Sequence, residues 1–598
     1  MQNADKPIPS NPFERKNSIA KSTVSLKAYF KPYKRDIIGT ALCGFLTVGC
    51  NLAMPVIIRW IIDRLEAGTL TRELLIQYLL GFIVIGVVST VFSRYLRKIP
   101  QKLSHKVEYT LRNDVFEHLT RMDQAYFRSE RTGDLMTRLS SDINIIRDSI
   151  GQGFLQGSRT ILVIIMASIV MALADLQLAL IMIALFTPMV IVFFLILRVM
   201  RRYQQELQEH VSDVSNYSQE TFSGIRCVKG FALEKRRNSA FEKLNAGLIA
   251  KTMRMQSTRQ ILFPFMSFWF GLGNILILVI GGRKMIAGEL TLGTLTQFTQ
   301  YLLYMQWPLL ALSWVLSMLQ RGKVSWDRVK AIMEREPGIQ DSARAQPCRP
   351  GASITFEHLN LDIAGRRFLD DINLEIPRGQ TLGITGPTGS GKTLLTSLVA
   401  RLSDPTGGAV KIGGTDIRDL SLAQLRGMIG YAAQEPVLFS RTLEHNIGFG
   451  LDEPDFTTIG WAADIAHLHK DVEGFPEQYQ TMLGERGVTL SGGQRQRTSI
   501  SRAIARKPDI LILDDVLSAV DTQTEAAIMS KLQPVMNERT TLFVSHRIST
   551  LRYADTIIVI EDGKITQRGT HDELITQPGY YSELNTLQQL EQKLEEDA

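Results

Sequence analysis

Cysteine is scarce in this chain: 598 residues hold four, Cys43, Cys50, Cys227 and Cys348. None forms a CxxC pair and none has a histidine close by, so neither a zinc site nor a disulfide framework is expected, and the thiols read as free. The start of the chain lacks the short apolar core of an export signal; residues 1–24 are polar, charged and proline-bearing and read as a disordered cytosolic lead. Charge is sparse as well, at 21% of residues, and long stretches have none. The 67 Lys and Arg against 60 Asp and Glu leave a net +7, a balance that suits either nucleic acid or the cytoplasmic rim of a membrane protein. The uncharged runs decide for the rim and leave no nucleic-acid partner. The length exceeds one ordinary soluble core, which excludes a small regulatory module and implies at least two domains.

The runs themselves are long. Ile37–Ile58 and Leu74–Ser93 carry no charged side chain, and each can cross about 30 Å of hydrocarbon at about 1.5 Å per residue. Thr160–Leu197 is uncharged except for Asp175, placed where a tight turn between two helices falls. Gln260–Gly282 supplies a fifth span, and Leu290–Gln320 a sixth with a helical extension. Six spans return the chain to its starting side, and Lys21, Lys27, Lys31, Lys34 and Arg35 put that side in the cytoplasm. The intervals 94–153 and 198–259 are charged yet keep helical apolar spacing, so they read as helices extended into the cytosol. Pro55, Pro188, Pro264 and Pro308 fall inside spans, where membrane helices tolerate them as kinks. Residues 25–335 are thus expected to form an α-helical domain of six transmembrane helices with long cytoplasmic extensions, in the inner (cytoplasmic) membrane.

The stretch 336–353, with Pro337, Pro347, Pro350 and Gly351, reads as a linker, 354–590 as a separate α/β domain, and 591–598 as a solvated tail. In the α/β domain Thr381-Leu-Gly-Ile-Thr leads into Gly386-Pro387-Thr388-Gly389-Ser390-Gly391-Lys392-Thr393, a complete P-loop between an expected strand and an expected helix. Its glycines let backbone N–H groups wrap phosphates, the helix N-terminus adds a favourable dipole, Lys392 neutralises the β/γ oxygens, and the Thr393 hydroxyl reaches Mg²⁺. Ile510-Leu-Ile-Leu-Asp514 is an aliphatic run ending in a carboxylate, as a buried strand that delivers an acid to that metal should be. The two motifs together predict nucleotide hydrolysis.

Between them stands Leu490-Ser491-Gly492-Gly493-Gln494, and here the chain resembles the ATP-binding cassette (ABC) family, whose signature is that pentapeptide. The resemblance extends from Ser25 to Leu590. It includes Gln434 at the Q-loop position, the Thr481-Met-Leu-Gly-Glu485-Arg486-Gly487 segment typical of exporters, Ser518-Ala-Val-Asp521 at the D-loop and His546 at the switch. In the first half, Tyr126-Phe127 with Arg131-Thr-Gly-Asp-Leu135 resembles the family's first coupling-helix region, Glu220-Thr-Phe-Ser-Gly-Ile225 the second, and Lys31-Pro-Tyr33 its membrane-leading helix. The resemblance implies a half-transporter of exporter type that works as a dimer, each ATP held between one chain's P-loop and the other's signature. It implies ATP and Mg²⁺, with Gly386 to Thr393, Ile363 and Ser491 to Gln494 against nucleotide. Thr393, Gln434 and Asp514 would surround the metal, and Asp515, His546 and Gln434 would act in catalysis. ATP closure would turn the membrane helices from inward-facing to outward-facing, which is alternating access driven by differential affinity.

The sequence departs from the family at two places. The position after Asp514, normally a glutamate that polarises the attacking water, is Asp515; one methylene less retracts the carboxylate by about 1.5 Å, enough to spoil catalysis by proximity. The position of the adenine-stacking aromatic is Ile363, so that stacking is missing; Phe368 nearby could substitute for it, but an ordinary core phenylalanine is the leading reading. The signature Ser491–Gln494 is intact, so the chain can complete a partner's site better than its own. That asymmetry resembles heterodimeric exporters; a slow homodimer is the alternative.

Charges near the spans include Arg59 with Asp63, four apart and readable as a structural pair, and Arg159, the better candidate for a pathway residue. Gln297, Gln300, Tyr301, Tyr304, Gln306 and Trp307, with Phe263, Phe265, Phe268, Trp269 and Phe270, offer an aromatic and amide lining that would suit a small hydrophobic or amphipathic drug, lipid or peptide, although most of them are expected simply to pack helices or meet lipid. Export of such a compound is the leading expectation. Import of a metal chelate on the same fold is the alternative, and a non-transporting cassette acting on ribosomes or DNA is excluded by the spans.

Overall fold

The computed structural model describes residues 25–342, 353–484 and 490–596. The chain divides into two units, one holding the six long helices and one the mixed α/β domain. Residues 121–130 lie between two membrane helices in sequence but group with the second unit.

Among the described residues, six helical segments in the first unit are long and apolar enough to cross a membrane: Leu26–Glu66, Arg72–Thr120, Thr132–Ala174, Leu176–Ser223, Glu234–Ile286 and Leu292–Met333. The second, with 49 residues, measures about 70 Å at about 1.5 Å per residue, more than twice the hydrocarbon thickness. The charged intervals after the second and fourth apolar runs are therefore helical extensions, as their spacing predicts. Apolar side chains such as Leu80, Ile83, Val84 and Val87 are exposed on the second helix, which suits a lipid-facing surface. Asp175 ends the third helix and caps the fourth in an extended conformation, its Oδ1 accepting from the Leu178 amide at 2.7 Å. Its Oδ2 accepts from Lys284 Nζ at 2.7 Å, tying this turn to the outer end of the fifth helix.

Polar groups join the first and sixth spans. Tyr301 Oη donates to the Leu52 carbonyl at 2.8 Å, Gln297 donates to Tyr301 Oη at 3.1 Å, and Asn51 donates to Tyr304 Oη at 3.2 Å. Asp63 accepts from the Gly293 amide at 3.0 Å, and Arg59 reaches both Asp63 and Gln297 at 3.4 Å. A Cβ on Gly293 would stand 2.2 Å from Asp63 Oδ1, so only glycine permits this approach. Arg59 and Asp63 are thus structural, as expected. Gln297, Tyr301 and Phe270 are buried in helix packing, so the expected aromatic and amide lining is partly consumed by the fold.

In the second unit, β1 (Ile354–Ile363), β2 (Arg366–Ile376), β4 (Gly407–Ile412) and β5 (Thr415–Asp416) form an antiparallel sheet in the order β2-β1-β4-β5. β3 (Thr381–Thr385), β6 (Ile429–Ala432), β7 (Ile510–Asp514), β8 (Thr540–Val544), β9 (Thr556–Glu561) and β10 (Lys564–Gly569) form a second sheet, β10-β9-β3-β8-β7-β6. All its pairs are parallel except β10 with β9. β3, β7 and β8 are buried along their whole length, which is why they read as unbroken aliphatic or Thr-rich runs rather than alternating ones. Ala364 and Gly365, both at positive φ, make the two-residue turn that joins β1 to β2.

Candidate active site

A parallel sheet presents ligand-binding groups at the carboxyl ends of its strands, and four neighbouring ends carry the residues expected to act on nucleotide. β3 runs into the P-loop, β7 ends at Asp514 and Asp515, β6 is followed by Gln434, and β8 by His546. Register fixes their level: Asp514 pairs with Val544, and the Asp515 amide donates to the Val544 carbonyl at 3.0 Å.

The P-loop turns through Gly386, Gly389 and Gly391 at positive φ and enters the helix Lys392–Val399. A Cβ on Gly386 would lie 2.0 Å from the Ile560 carbonyl oxygen. Replacing Gly386 by Ala should therefore distort the loop from the backbone outward and lower ATP affinity at least tenfold, measured by equilibrium binding on the full chain. Lys392 is buried, and its Nζ donates to the carbonyls of Gly386 and Pro387 at 2.8 and 2.7 Å. Burial pushes its pKa down, opposed by the charges of Asp515 and Asp514.

Two observations test the fit of a nucleotide with its metal. The Ser390 hydroxyl, within the loop, is buried with no hydrogen-bond partner, which a phosphate oxygen would supply. Thr393 Oγ1 donates to Asp514 Oδ1 at 3.1 Å, bringing together the hydroxyl and carboxylate oxygens that suit Mg²⁺. Gln434 is not at this pair; its Nε2 donates to Asp515 Oδ2 at 3.1 Å. Burial pushes both carboxyls up; Thr393 opposes this at Asp514, while His546 and Gln434 oppose it at Asp515. Burial, then the Lys392 charge, pushes His546 below the ordinary imidazole value, opposed by the Asp515 charge.

The signature opens the helix Gly492–Ala505 with a capping box: Ser491 Oγ accepts from the Gln494 amide, and Gln494 Oε1 accepts from the Ser491 amide at 3.1 Å. Gln494 also donates to Asp471 at 3.0 Å, where Arg497 binds as well. The local amides are thereby ordered at a positive helix end. Ile363 packs partly buried against the core between the sheets and offers no ring. Phe368 is not the core residue its sequence suggests: it is half-buried outside that core, with the Arg366 guanidinium 5.2 Å above its ring.

The sequence did not reveal three supporting residues. Tyr431 Oη donates to Asp514 Oδ2 at 3.4 Å, its own pKa pushed up to about 12 by burial and the neighbouring charge. Gln496 of the signature helix donates to Ser518 Oγ and accepts from the Ala519 amide, both at 2.9 Å. Arg547, next to His546, donates to the Val520 carbonyl at 2.8 Å and pairs with Glu525. The D-loop is thus tied to both the signature and the switch. His445 is exposed, its edge against Phe449. Glu485, Arg486 and Gly487 lie outside the described residues, as do 1–24, much of the linker and the last two residues of the tail.

Comparisons with known proteins cover both halves. Residues 37–309 match the family described as ABC transporter transmembrane region, and 369–518 the family described as ABC transporter. The chain is 34% identical over 572 residues to the Bacillus subtilis uncharacterized ABC transporter ATP-binding protein YknU, covering 95% of this chain and 98% of that one. It is 32% identical to the Escherichia coli multidrug resistance-like ATP-binding protein MdlA, over 96% of this chain and 97% of that one. It is also 32% identical to the ATP-dependent lipid A-core flippase of Desulfotalea psychrophila, over 93% and 97%. Its fold is similar to that of a bacterial Atm1-family ABC exporter with ATP bound, with TM-score 0.79 and 23% identity over 93% of this chain and 98% of that one.

Proposed function

We propose, from the premise that the chain belongs to the ABC transporter family as an exporter with fused transmembrane and ATP-binding regions, that it moves an amphipathic compound out of the cytoplasmic leaflet as one half of a heterodimer. The observation that carries this reading is the pairing, in one chain, of an intact signature, Ser491 to Gln494, with an aspartate, Asp515, at the position where the family resemblance implies a glutamate. Gly386 to Thr393 cradle the phosphates. Thr393 and Asp514 would hold Mg²⁺, which when bound would neutralise phosphate charge; Gln434, at 3.1 Å from Asp515 rather than at Asp514, would sense that side of the site. Asp515 and His546 orient the attacking water, but the aspartate is one methylene short. Ile363 contributes apolar contact rather than stacking.

Ser491 to Gln494 serve the P-loop of the second chain. The segment Gln124–Ser129, grouped with the nucleotide unit, passes nucleotide state to the membrane helices. The names of two relatives, a multidrug resistance-like ATP-binding protein and an ATP-dependent lipid A-core flippase, support an amphipathic substrate and export rather than uptake of a metal chelate. The test is ATP-dependent movement of a fluorescent amphipathic dye in proteoliposomes holding the chain with its partner. Accumulation in vesicles whose ATPase domains face outward, abolished when ATP is withheld, is expected. Movement only in the opposite direction would overturn the export reading.

A further inference from the structure

A cavity of about 960 Å³ opens among the first three spans, and its wall is unlike the aromatic and amide lining expected from sequence. Arg94, Arg97, Lys98 and Lys102 of the second span line it. Their spacing of three, four and eight residues puts them on one face of that helix. Arg159 of the third span lines the same cavity. Toward the membrane interior the wall is neutral and polar, with Asn51 and Ser89 joined by a 2.7 Å hydrogen bond.

None of these five cations has a carboxylate within ion-pair distance among the described residues. Farther along the same helices counter-charges are present: Arg112 meets Glu108 at 2.8 Å, and Arg147 meets Asp148 at 2.9 Å. Orienting the chain in the membrane requires only that positive residues lie near the cytoplasmic ends of spans; it does not require convergence on one recess from two helices. Like charges gathered at a low-dielectric boundary repel one another unless an anion joins them. Guanidinium groups also match phosphate and carboxylate oxygens in pairs. The uncharged run of the second span ends at Ser93, so the cationic stretch begins where a lipid headgroup lies and the neutral end reaches into the hydrocarbon.

We propose that this cavity binds the anionic headgroup, phosphate or carboxylate, of an amphiphile taken from the cytoplasmic leaflet. The proposal rests on the export reading for its direction but stands on the cavity for its chemistry. It is tested on the full chain in phosphatidylcholine nanodiscs by titrating tail-labelled dioleoyl phosphatidate, with tail-labelled dioleoylglycerol as the uncharged counterpart and inorganic phosphate as competitor.

Phosphatidate should bind at least tenfold more tightly than dioleoylglycerol. Arg159→Gln and the pair Arg94→Gln with Arg97→Gln should each remove most of that difference, Arg159→Lys should keep much of it, and ATP affinity should not change in any of them. Equal affinity for the two lipids, or full phosphatidate affinity in the glutamine variants, would overturn the proposal. Displacement by inorganic phosphate at the same concentration as the lipid would overturn its amphiphile part. Charge-dependent binding without ATP-driven movement of any amphiphile would sink the export reading and leave the site. Dye transport with charge-blind lipid binding would do the reverse.

Discussion

Gly492→Asp should reduce ATP turnover of the assembled transporter at least a hundredfold, while Lys392→Ala in the same chain leaves a measurable fraction. A Cβ at Gly492 meets only Ala519 Cβ at 3.4 Å, an ordinary contact, so the aspartate can be accommodated and its effect is electrostatic. It places a carboxylate at a positive helix end whose amides should face the partner chain's nucleotide, reversing a favourable interaction. A loss of about 2.7 kcal/mol of transition-state stabilisation corresponds to a hundredfold in rate. On the proposed reading Lys392 serves only this chain's own site, which the short Asp515 carboxylate would weaken, so its removal should lower ATP binding there and spare the other site. Near-normal turnover in the Gly492 variant, or complete loss from Lys392→Ala alone, would contradict the proposed division of labour. Steady-state ATPase of the two-chain complex reads both.

Asp515→Glu should raise this chain's own hydrolysis at least tenfold and slightly lower its stability. The side chain sits at φ 49°, in the left-handed region that aspartate tolerates better than glutamate, so the longer residue should cost about 1 kcal/mol of folding free energy. In return its carboxylate advances by about 1.5 Å, the distance that separates a poised water from a poorly held one. The Gln434 contact at 3.1 Å must rearrange to make room. Single-turnover hydrolysis and chemical denaturation measure the two effects separately. A faster enzyme with reduced stability fits; unchanged stability would contradict the backbone argument, and an unchanged rate would mean that carboxylate length does not limit this site.

Much of this was legible in sequence because its causes are local. An uncharged run of about 20 residues or more admits few structures but a membrane helix, and Asp175 alone could break Thr160–Leu197. The P-loop, the aliphatic strand ending at Asp514 and the signature are contiguous, so each carries its own geometry. What escaped depends on residues distant in sequence. Tyr431 meets Asp514 because β6 and β7 are neighbours, and Arg547 reaches Val520 only after β8 returns beside β7. Gln297 and Tyr301 read as pathway residues because amphipathic side chains look alike whether they face a cavity or another helix; only packing against Leu52 separates the cases. The convergence of Arg159 with the second span's basic face likewise needs two helices placed together.

The most direct measurement is the ATPase rate of the wild-type chain purified alone in lipid nanodiscs, beside Asp515→Glu, with oligomeric state recorded for both. A dimeric but nearly inactive wild type that the glutamate awakens is the expected result, since its two identical sites would share the short carboxylate. Robust wild-type turnover as a homodimer would show Asp515 to be catalytically sufficient, and the requirement for a different second chain would fall.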